Sequence, residues 1–177
     1  MTQPGRIYLI GFMGSGKTTA GKRLASEIGW HFIDLDSVIE EKYGMPIDRI
    51  FMLSGEKTFR EYETETLQSL STEDNTVISV GGGAPCFFGN MDYMKKTGRV
   101  VYLKMTPAHL KKRIIEDHKK RPLIKGLNDP ELEKFIELRL TDRELYYMKA
   151  GIIIDNSGSD LSKLTSKLIK ILNLKQK

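Results

Sequence analysis

An eight-residue segment near the N-terminus, GFMGSGKT at residues 11–18, constrains this chain more than any other feature. It matches the phosphate-loop pattern G-x-x-x-x-G-K-[ST] at every required position, and it lies between a short apolar strand and a helical segment. Glycines let the backbone N–H groups of such a loop surround a phosphate at the positive end of the following helix. The segment therefore predicts a nucleoside-triphosphate site, with Lys17 on the phosphates and Thr18 on Mg²⁺.

The phosphate loop alone does not decide which class of nucleotide-binding protein this is. A GTPase would usually carry an N-K-x-D motif that reads the base, and the sequence contains none. A motor-type ATPase would normally be longer than 177 residues. A short chain with its phosphate loop at the N-terminus instead favours a kinase of small molecules or of nucleoside monophosphates.

The pattern along the chain predicts an α/β fold, because short β-branched runs alternate with longer stretches of helical periodicity. Strands are expected near residues 6–10, 31–34, 76–80, 99–104 and 151–155. Helices are expected near residues 17–28, 56–70, 90–96, 107–116 and 131–148, followed by a C-terminal amphipathic helix. We expect one domain over residues 1–177, with a substrate-binding segment at about 35–70 and a polar lid at about 117–129.

Composition excludes several other classes. The only cysteine, Cys86, cannot form an intramolecular disulfide or a multi-cysteine zinc site; a reactive thiol is one interpretation of it, and a small buried hydrophobe is the favoured one. No apolar run approaches the roughly 20 residues that span a bilayer, and the N-terminus does not resemble a signal peptide. The formal charge of +5 comes from dispersed lysines without a nucleic-acid-binding motif. We therefore expect a cytoplasmic protein with an anionic small substrate, without nucleic-acid or membrane partners.

Two aspartates, in the sequence FIDLD at residues 32–36, end the second predicted strand. On an extended chain Asp34 and Asp36 would face the same side, and at the carboxyl end of a parallel strand they would point into the ligand crevice. One could hold Mg²⁺ through water while the other accepts a proton from a substrate hydroxyl. The alternative is structural: one aspartate caps a helix that begins near residue 37.

Several arginines and a run of glycines are further candidates. Arg60 lies on a predicted helix, Arg121 lies in the predicted lid, and Arg139 and Arg143 are four residues apart and so share one helix face. The sequence GGGAP at residues 81–85 is a poor choice for a helix or strand, because glycine loses the most conformational entropy on ordering. By itself it is equally compatible with a tight turn and with a backbone surface that a ligand approaches closely.

Taken together, these segments resemble the shikimate kinase family almost from end to end. The matching signatures are GFMGSGKT, FIDLD, the FRE that begins at Phe59 together with Glu63, GGGAP, RPL at 121–123, and the segment from Arg143 to Tyr147. The family carries a phosphate-loop three-layer sandwich of the nucleoside-monophosphate-kinase type, with a five-stranded parallel sheet. Its members transfer the γ-phosphoryl group of ATP to the 3-hydroxyl of shikimate, in the pathway to chorismate and aromatic amino acids.

The resemblance implies a role for each matching residue. Asp36, Lys17 and Arg121 would be catalytic, and Thr18 and, through water, Asp34 would bind Mg²⁺. ATP would be bound by Gly14, Ser15, Gly16, Lys17, Thr18, Thr19, Arg121 and Arg113, the last as a candidate for stacking on adenine. Shikimate would be bound by Asp36, Arg60, Gly81, Gly82, Gly83 and Arg143. Family members are usually monomers, so a monomer is expected.

The chain departs from the family at two of these points. Where many members have a proline two residues after Arg143, this chain has Leu145, which leaves Arg139 as an alternative partner for the substrate carboxylate. The family often has an arginine before the lid that stacks on adenine, and the spacing that would make Arg113 its equivalent differs by one residue. A different small-metabolite kinase, such as a gluconate kinase, and a non-catalytic nucleotide-binding module are the competing hypotheses; the paired arginines and GGGAP favour shikimate kinase.

Overall fold

Five parallel β-strands form the middle layer of the molecule. The computed structural model describes residues 5–116, 126–158 and 160–175, and the sheet has the order β2-β3-β1-β4-β5. The strands are β1 (Arg6–Ile10), β2 (His31–Asp34), β3 (Thr76–Ser79), β4 (Arg99–Lys104) and β5 (Ile152–Asp155). Each predicted strand is found, with differences of one residue at the end of β3 and the start of β5. The predicted fold class is confirmed.

The central strand shows why both faces of the sheet are covered. All five residues of β1 are buried, and the four apolar ones alternate between two hydrophobic cores because successive side chains in a strand point to opposite faces. Tyr8 and Ile10 belong to one core, together with residues from the second to the sixth helix. Ile7 and Leu9 belong to the other, together with the first and last helices. The strand is therefore buried on both sides, as in doubly wound parallel sheets.

Seven α-helices flank the sheet in the described part of the chain. They are α1 (Lys17–Ile28), α2 (Leu35–Tyr43), α3 (Ile47–Ser69), α4 (Asn90–Thr97), α5 (Pro107–Glu116), α6 (Asp129–Tyr147) and α7 (Leu161–Ile171). The helix predicted at 56–70 is part of the longer α3, which is interrupted at Gly55, where the backbone has φ 79° and ψ 170°. An Asn128–Glu131 capping box starts α6 two residues before its predicted start.

The order of the strands brings the functional segments to one edge of the sheet. Strands β1 and β2 both neighbour β3, and all three are parallel, so their carboxyl ends meet there. The phosphate loop follows β1, Asp34 ends β2, and GGGAP follows β3. Residues 117–125 of the predicted lid, Arg121 among them, lie outside the described residues. Within the described ranges, no helix has both the length and the apolar character needed to cross a membrane.

Candidate active site

The phosphate loop is built as its sequence predicts. Helix α1 begins at Lys17, and the residue before it, Gly16, has a left-handed backbone with φ 86°, which a side chain would strain. The N–H groups of the first turn of α1 have no carbonyl partner within the helix and lie at its positive end. The Lys17 ammonium lies over the same loop and donates to the carbonyls of Gly11 and Phe12 at 2.8 and 3.1 Å. The loop thus presents backbone donors and one cation to an anion.

Asp34 joins the end of β2 to the phosphate loop. One of its carboxylate oxygens accepts a hydrogen bond from the Thr18 hydroxyl at 2.8 Å, and the other accepts from the Asp36 backbone N–H at 3.2 Å. The second bond makes Asp34 the N-cap of α2. The same side chain therefore both caps a helix and lies beside Thr18, so the structural and the functional interpretation of this residue are compatible.

The expectation that Asp34 and Asp36 follow one another on an extended strand is wrong. Strand β2 ends at Asp34, and Asp36 lies in the first turn of α2 because Asp34 caps that helix two residues earlier than expected. The two carboxylates nevertheless line the same cavity. Their proximity results from the strand-to-helix turn and not from strand alternation.

A cavity of about 1270 Å³ connects these features. Its lining includes ten of the predicted site residues: Gly14, Gly16, Lys17, Thr18, Thr19, Asp34, Asp36, Gly81, Gly82 and Arg113. Ser15 is buried within the loop, and its carbonyl accepts from the Asn156 side chain at 2.9 Å. The phosphate loop and the triple glycine (Gly81–Gly83) therefore border the same cavity. This cavity also reaches the start of α3, at residues 46–52.

Asp36 has the electrostatic character of a base that works near neutral pH. Burial and, to a smaller extent, the nearby Asp34 carboxylate raise the pKa of its carboxyl against the opposing effect of the Lys17 ammonium, and the net result is a pKa of about 6. An acid with a pKa of about 6 is ionised at pH 7 but accepts a proton more readily than an ordinary aspartate.

Arg60 lies behind the triple glycine in a buried ion pair. It donates to Glu63 at 2.9 Å and to Glu56 at 3.1 Å, and its guanidinium stacks on the Phe87 ring at 4.7 Å. A Cβ atom built on Gly83 would lie only 2.5 Å from both terminal nitrogens of Arg60. The glycine therefore allows the guanidinium to reach the backbone of the GGGAP loop.

Glu63 belongs to the same segment as Arg60, and no role is predicted for it from the sequence. Its side chain is fully buried, and burial raises its pKa to about 7 although Arg60 opposes that rise. Its Oε1 atom makes no hydrogen bond among the described residues and lies 2.4 Å from the position of a Cβ on Gly81. In the sequence, only its position three residues after Arg60 on a helix points to Glu63. Ordinary surface ion pairs have the same spacing, so this position does not distinguish it from them.

The two candidate arginines of α6 differ in their surroundings. Arg143 is half-buried, lies over the Phe12 ring at 5.5 Å, and approaches the triple glycine, since a Cβ on Gly82 would lie 3.3 Å from its Nη1 atom. Arg139 is exposed and lies over the Phe135 ring at 5.9 Å. The structure brings Arg143, and not Arg139, to the GGGAP loop.

Two further candidates lie near these groups. The guanidinium of Arg113 lies at the phosphate loop, since a Cβ on Gly16 would lie 2.9 Å from its Nη1 atom. Cys86 is half-buried and forms no disulfide. Burial raises the pKa of its thiol to about 11, with Arg143 and Arg60 opposing the rise, so the thiol is protonated at neutral pH.

Comparisons with known proteins identify one family. Residues 13–173 match the family model described as shikimate kinase. A shikimate kinase from Parabacteroides distasonis is 43% identical over 171 residues, which are 94% of this chain and 99% of that protein. The crystal structure of shikimate kinase from Bacteroides thetaiotaomicron has a TM-score of 0.92 and 39% identity, covering 96% of this chain and 98% of that one. Shikimate kinase from Acinetobacter baumannii, solved in complex with shikimate, has a TM-score of 0.88 and 35% identity, covering 97% and 94%.

Proposed function

This chain belongs to the shikimate kinase family of ATP-dependent kinases, and we propose that it transfers the γ-phosphoryl group of ATP to the 3-hydroxyl of shikimate in the cavity described above. The observation that carries the proposal is that one cavity is bordered by the phosphate loop, by the carboxylate of Asp36 and by the triple glycine. An ATP-binding loop and an acceptor surface are thus within reach of one another, as phosphoryl transfer requires.

ATP would bind along the phosphate loop. The backbone of Gly14 to Thr19 offers N–H donors to the phosphates, and Lys17 adds a positive charge that can leave its carbonyl partners for them. Arg113 approaches this loop closely enough to contact the nucleotide. Arg121, which lies outside the described residues, would close over the transferring phosphate from the lid.

Mg²⁺ would be held by Thr18 and, through water, by Asp34. The hydroxyl and carboxylate of this pair are 2.8 Å apart, and both are oxygen donors of the kind Mg²⁺ prefers. The described residues contain no group of three or more His, Cys, Asp or Glu side chains that could hold a metal ion. Mg²⁺ usually takes one or two protein ligands and completes its shell with water and phosphate. When bound, it would neutralise charge on the β- and γ-phosphates.

Shikimate would lie over the triple glycine, with its carboxylate between two arginines. Arg60 and Arg143 approach Gly83 and Gly82 respectively, so the two guanidinium groups border the same short loop. Arginine forks are suited to a planar carboxylate because they can donate two parallel hydrogen bonds. Glu63 supports this arrangement by fixing the orientation of Arg60 through their hydrogen bond.

Asp36 would activate the acceptor. Its carboxylate accepts the proton of the 3-hydroxyl as that oxygen bonds to the γ-phosphorus, while the bond between the γ-phosphorus and the bridging oxygen breaks and ADP leaves. The Lys17 ammonium can stabilise the negative charge that develops on the phosphate oxygens. Burial of Asp36 supports this role because it raises the basicity of the carboxylate without protonating it at pH 7.

The pH profile tests the role of Asp36. Because the base must be unprotonated, kcat/KM for shikimate is expected to rise with pH through about 6 and to level off above it. Well below that value the rate should fall about tenfold per pH unit. The measurement is ADP release with saturating ATP and Mg²⁺ between pH 5 and pH 8, at constant ionic strength. A profile that is flat across this range would contradict the assignment of Asp36 as the base.

We further propose that the chain acts as a single kinase domain over residues 1–177 and as a cytoplasmic monomer. The resemblance to the family supports each of these points. Within that domain, residues 35–70 would form the substrate-binding segment and residues 117–129 the lid.

A further inference from the structure

Tyr147 connects helix α6 to the triple glycine. It lies one helical turn after Arg143, its side chain is fully buried, and its hydroxyl donates a hydrogen bond to the carbonyl of Gly82, 65 residues earlier in the chain. Its ring packs against that of Tyr102 at a centroid distance of 5.0 Å. Burial and ring packing therefore fix the position of the Tyr147 hydroxyl at the GGGAP loop.

The three carbonyls of the triple glycine differ in where their hydrogen-bond donors come from. The carbonyl of Gly81 accepts from the N–H of Ala84 at 3.1 Å, and that of Gly83 accepts from the N–H of Cys86 at 2.9 Å. Both are local turns that the loop makes by itself. The carbonyl of Gly82, between them, accepts a hydrogen bond from the Tyr147 side chain on a distant helix. Of the three peptide units, only that of Gly82 therefore depends on tertiary structure for its orientation.

Orientation of a carbonyl fixes the direction of the neighbouring amide. A peptide unit is planar and trans, so its C=O and N–H point in opposite directions. The hydrogen bond to Gly82 therefore sets the rotation of the peptide that joins Gly82 to Gly83. Glycine has no side chain to restrict this rotation, and without the bond the loop would sample a wider range of conformations.

The donor is present over the whole physiological range of pH. Burial raises the pKa of the Tyr147 hydroxyl strongly, and the nearby Arg143 opposes that rise only in part. A hydroxyl that stays protonated keeps donating, whereas a phenolate could not. The Tyr147 hydroxyl can therefore donate to the loop at any physiological pH.

We propose that Tyr147 is a positioning residue for the acceptor: it holds the triple glycine and the Arg143 guanidinium in the relative arrangement that binds shikimate. The inference rests on the proposed role of these two elements in the acceptor site. One helix supplies both an arginine beside Gly82 and the hydroxyl that orients Gly82, so a single rigid element determines two sides of the subsite. Tyr147 itself does not take part in the transfer.

The test is the variant Tyr147→Phe, which removes one oxygen and keeps the ring packing. A neutral hydrogen bond of this kind corresponds to about five- to tenfold in an equilibrium constant. We expect KM for shikimate, and Kd for shikimate by calorimetry without nucleotide, to rise by about that factor. KM for ATP and kcat should stay within about twofold, since the phosphate loop and Asp36 are untouched.

The matched control is Tyr8→Phe. Tyr8 is also fully buried, and its hydroxyl lies 3.0 Å from the Thr97 hydroxyl, away from the cavity lining. It should leave KM for shikimate unchanged, which separates positioning from the general cost of losing a buried hydroxyl. An unchanged shikimate KM in Tyr147→Phe would overturn the proposal, and so would a parallel loss of shikimate and ATP affinity or a failure to fold.

The proposal and the assignment of the acceptor site can fail separately. If Gly82→Ala raises KM for shikimate while Tyr147→Phe does not, the triple glycine binds the acceptor without help from Tyr147, and only the proposal is wrong. If neither variant changes KM for shikimate although the wild-type enzyme phosphorylates it, the acceptor site has been assigned to the wrong surface.

Discussion

Replacing Asp36 by asparagine is expected to lower kcat by about 10²- to 10⁴-fold, the range over which a positioned general base contributes. Asparagine has nearly the same size and can still hydrogen-bond to the 3-hydroxyl, but it cannot take the proton. Lys17 and the backbone donors of the phosphate loop are unchanged in Asp36→Asn. Affinity for ATP should therefore stay close to that of the wild-type protein.

Two measurements on the same preparation test this expectation. Steady-state ADP release gives kcat, and calorimetric titration with a non-hydrolysable ATP analogue gives the affinity of the nucleotide site. Asp92→Asn is the matched control, because Asp92 is an exposed aspartate on α4 outside the cavity lining, and its kcat should be unchanged. Near-normal turnover by Asp36→Asn would show that the carboxylate is not the base.

Replacing Arg143 by alanine is expected to lower kcat/KM for shikimate by about 30- to 5,000-fold. The figure follows from truncation of one partner of a desolvated charge pair, which costs about 2–5 kcal/mol. The substrate carboxylate would lose one of its two guanidinium groups and keep only Arg60. Because Arg60 already donates to Glu63 and Glu56, it has fewer donors left with which to compensate.

Arg139→Ala is the matched control for this variant. Arg139 lies on the same helix, four residues earlier, and is exposed over the Phe135 ring. It should keep wild-type kcat/KM for shikimate, and both variants should keep the wild-type KM for ATP. The reverse result, with a large loss in Arg139→Ala and a small one in Arg143→Ala, would show that the carboxylate binds one helical turn earlier along α6, at Arg139.

Local patterns predicted much of the fold, and the reason is physical. The phosphate loop needs glycines, a lysine and a hydroxyl at fixed spacing between a strand and a helix, so its eight residues identify it without any distant contact. The alternation of β-branched runs with helical periodicity likewise predicted all five strands of the sheet. The prediction that Asp34 and Asp36 share an extended strand was wrong, because the strand pattern competes there with a helix N-cap. Asp34 caps a helix, so α2 begins at Leu35 and Asp36 lies on a helical turn.

The parts of the site that depend on distant contacts could not be predicted in this way. The approach of Glu63 and Arg60 to the triple glycine joins the middle of a long helix to a loop about 20 residues later, and no spacing in the sequence encodes it. The bond from Tyr147 to Gly82 crosses 65 residues. These contacts explain why the loop is made of glycines: side chains at residues 81 and 83 would collide with the carboxylate and the guanidinium behind them.

The most direct test of the account is the rate of ADP release from ATP and Mg²⁺ by the purified protein, measured with shikimate and, in parallel, with gluconate. We expect shikimate to accelerate ADP release far above the rate without acceptor, chelation of Mg²⁺ to abolish the acceleration, and gluconate to have no effect. A rate that shikimate does not raise, or that gluconate raises equally, would contradict it.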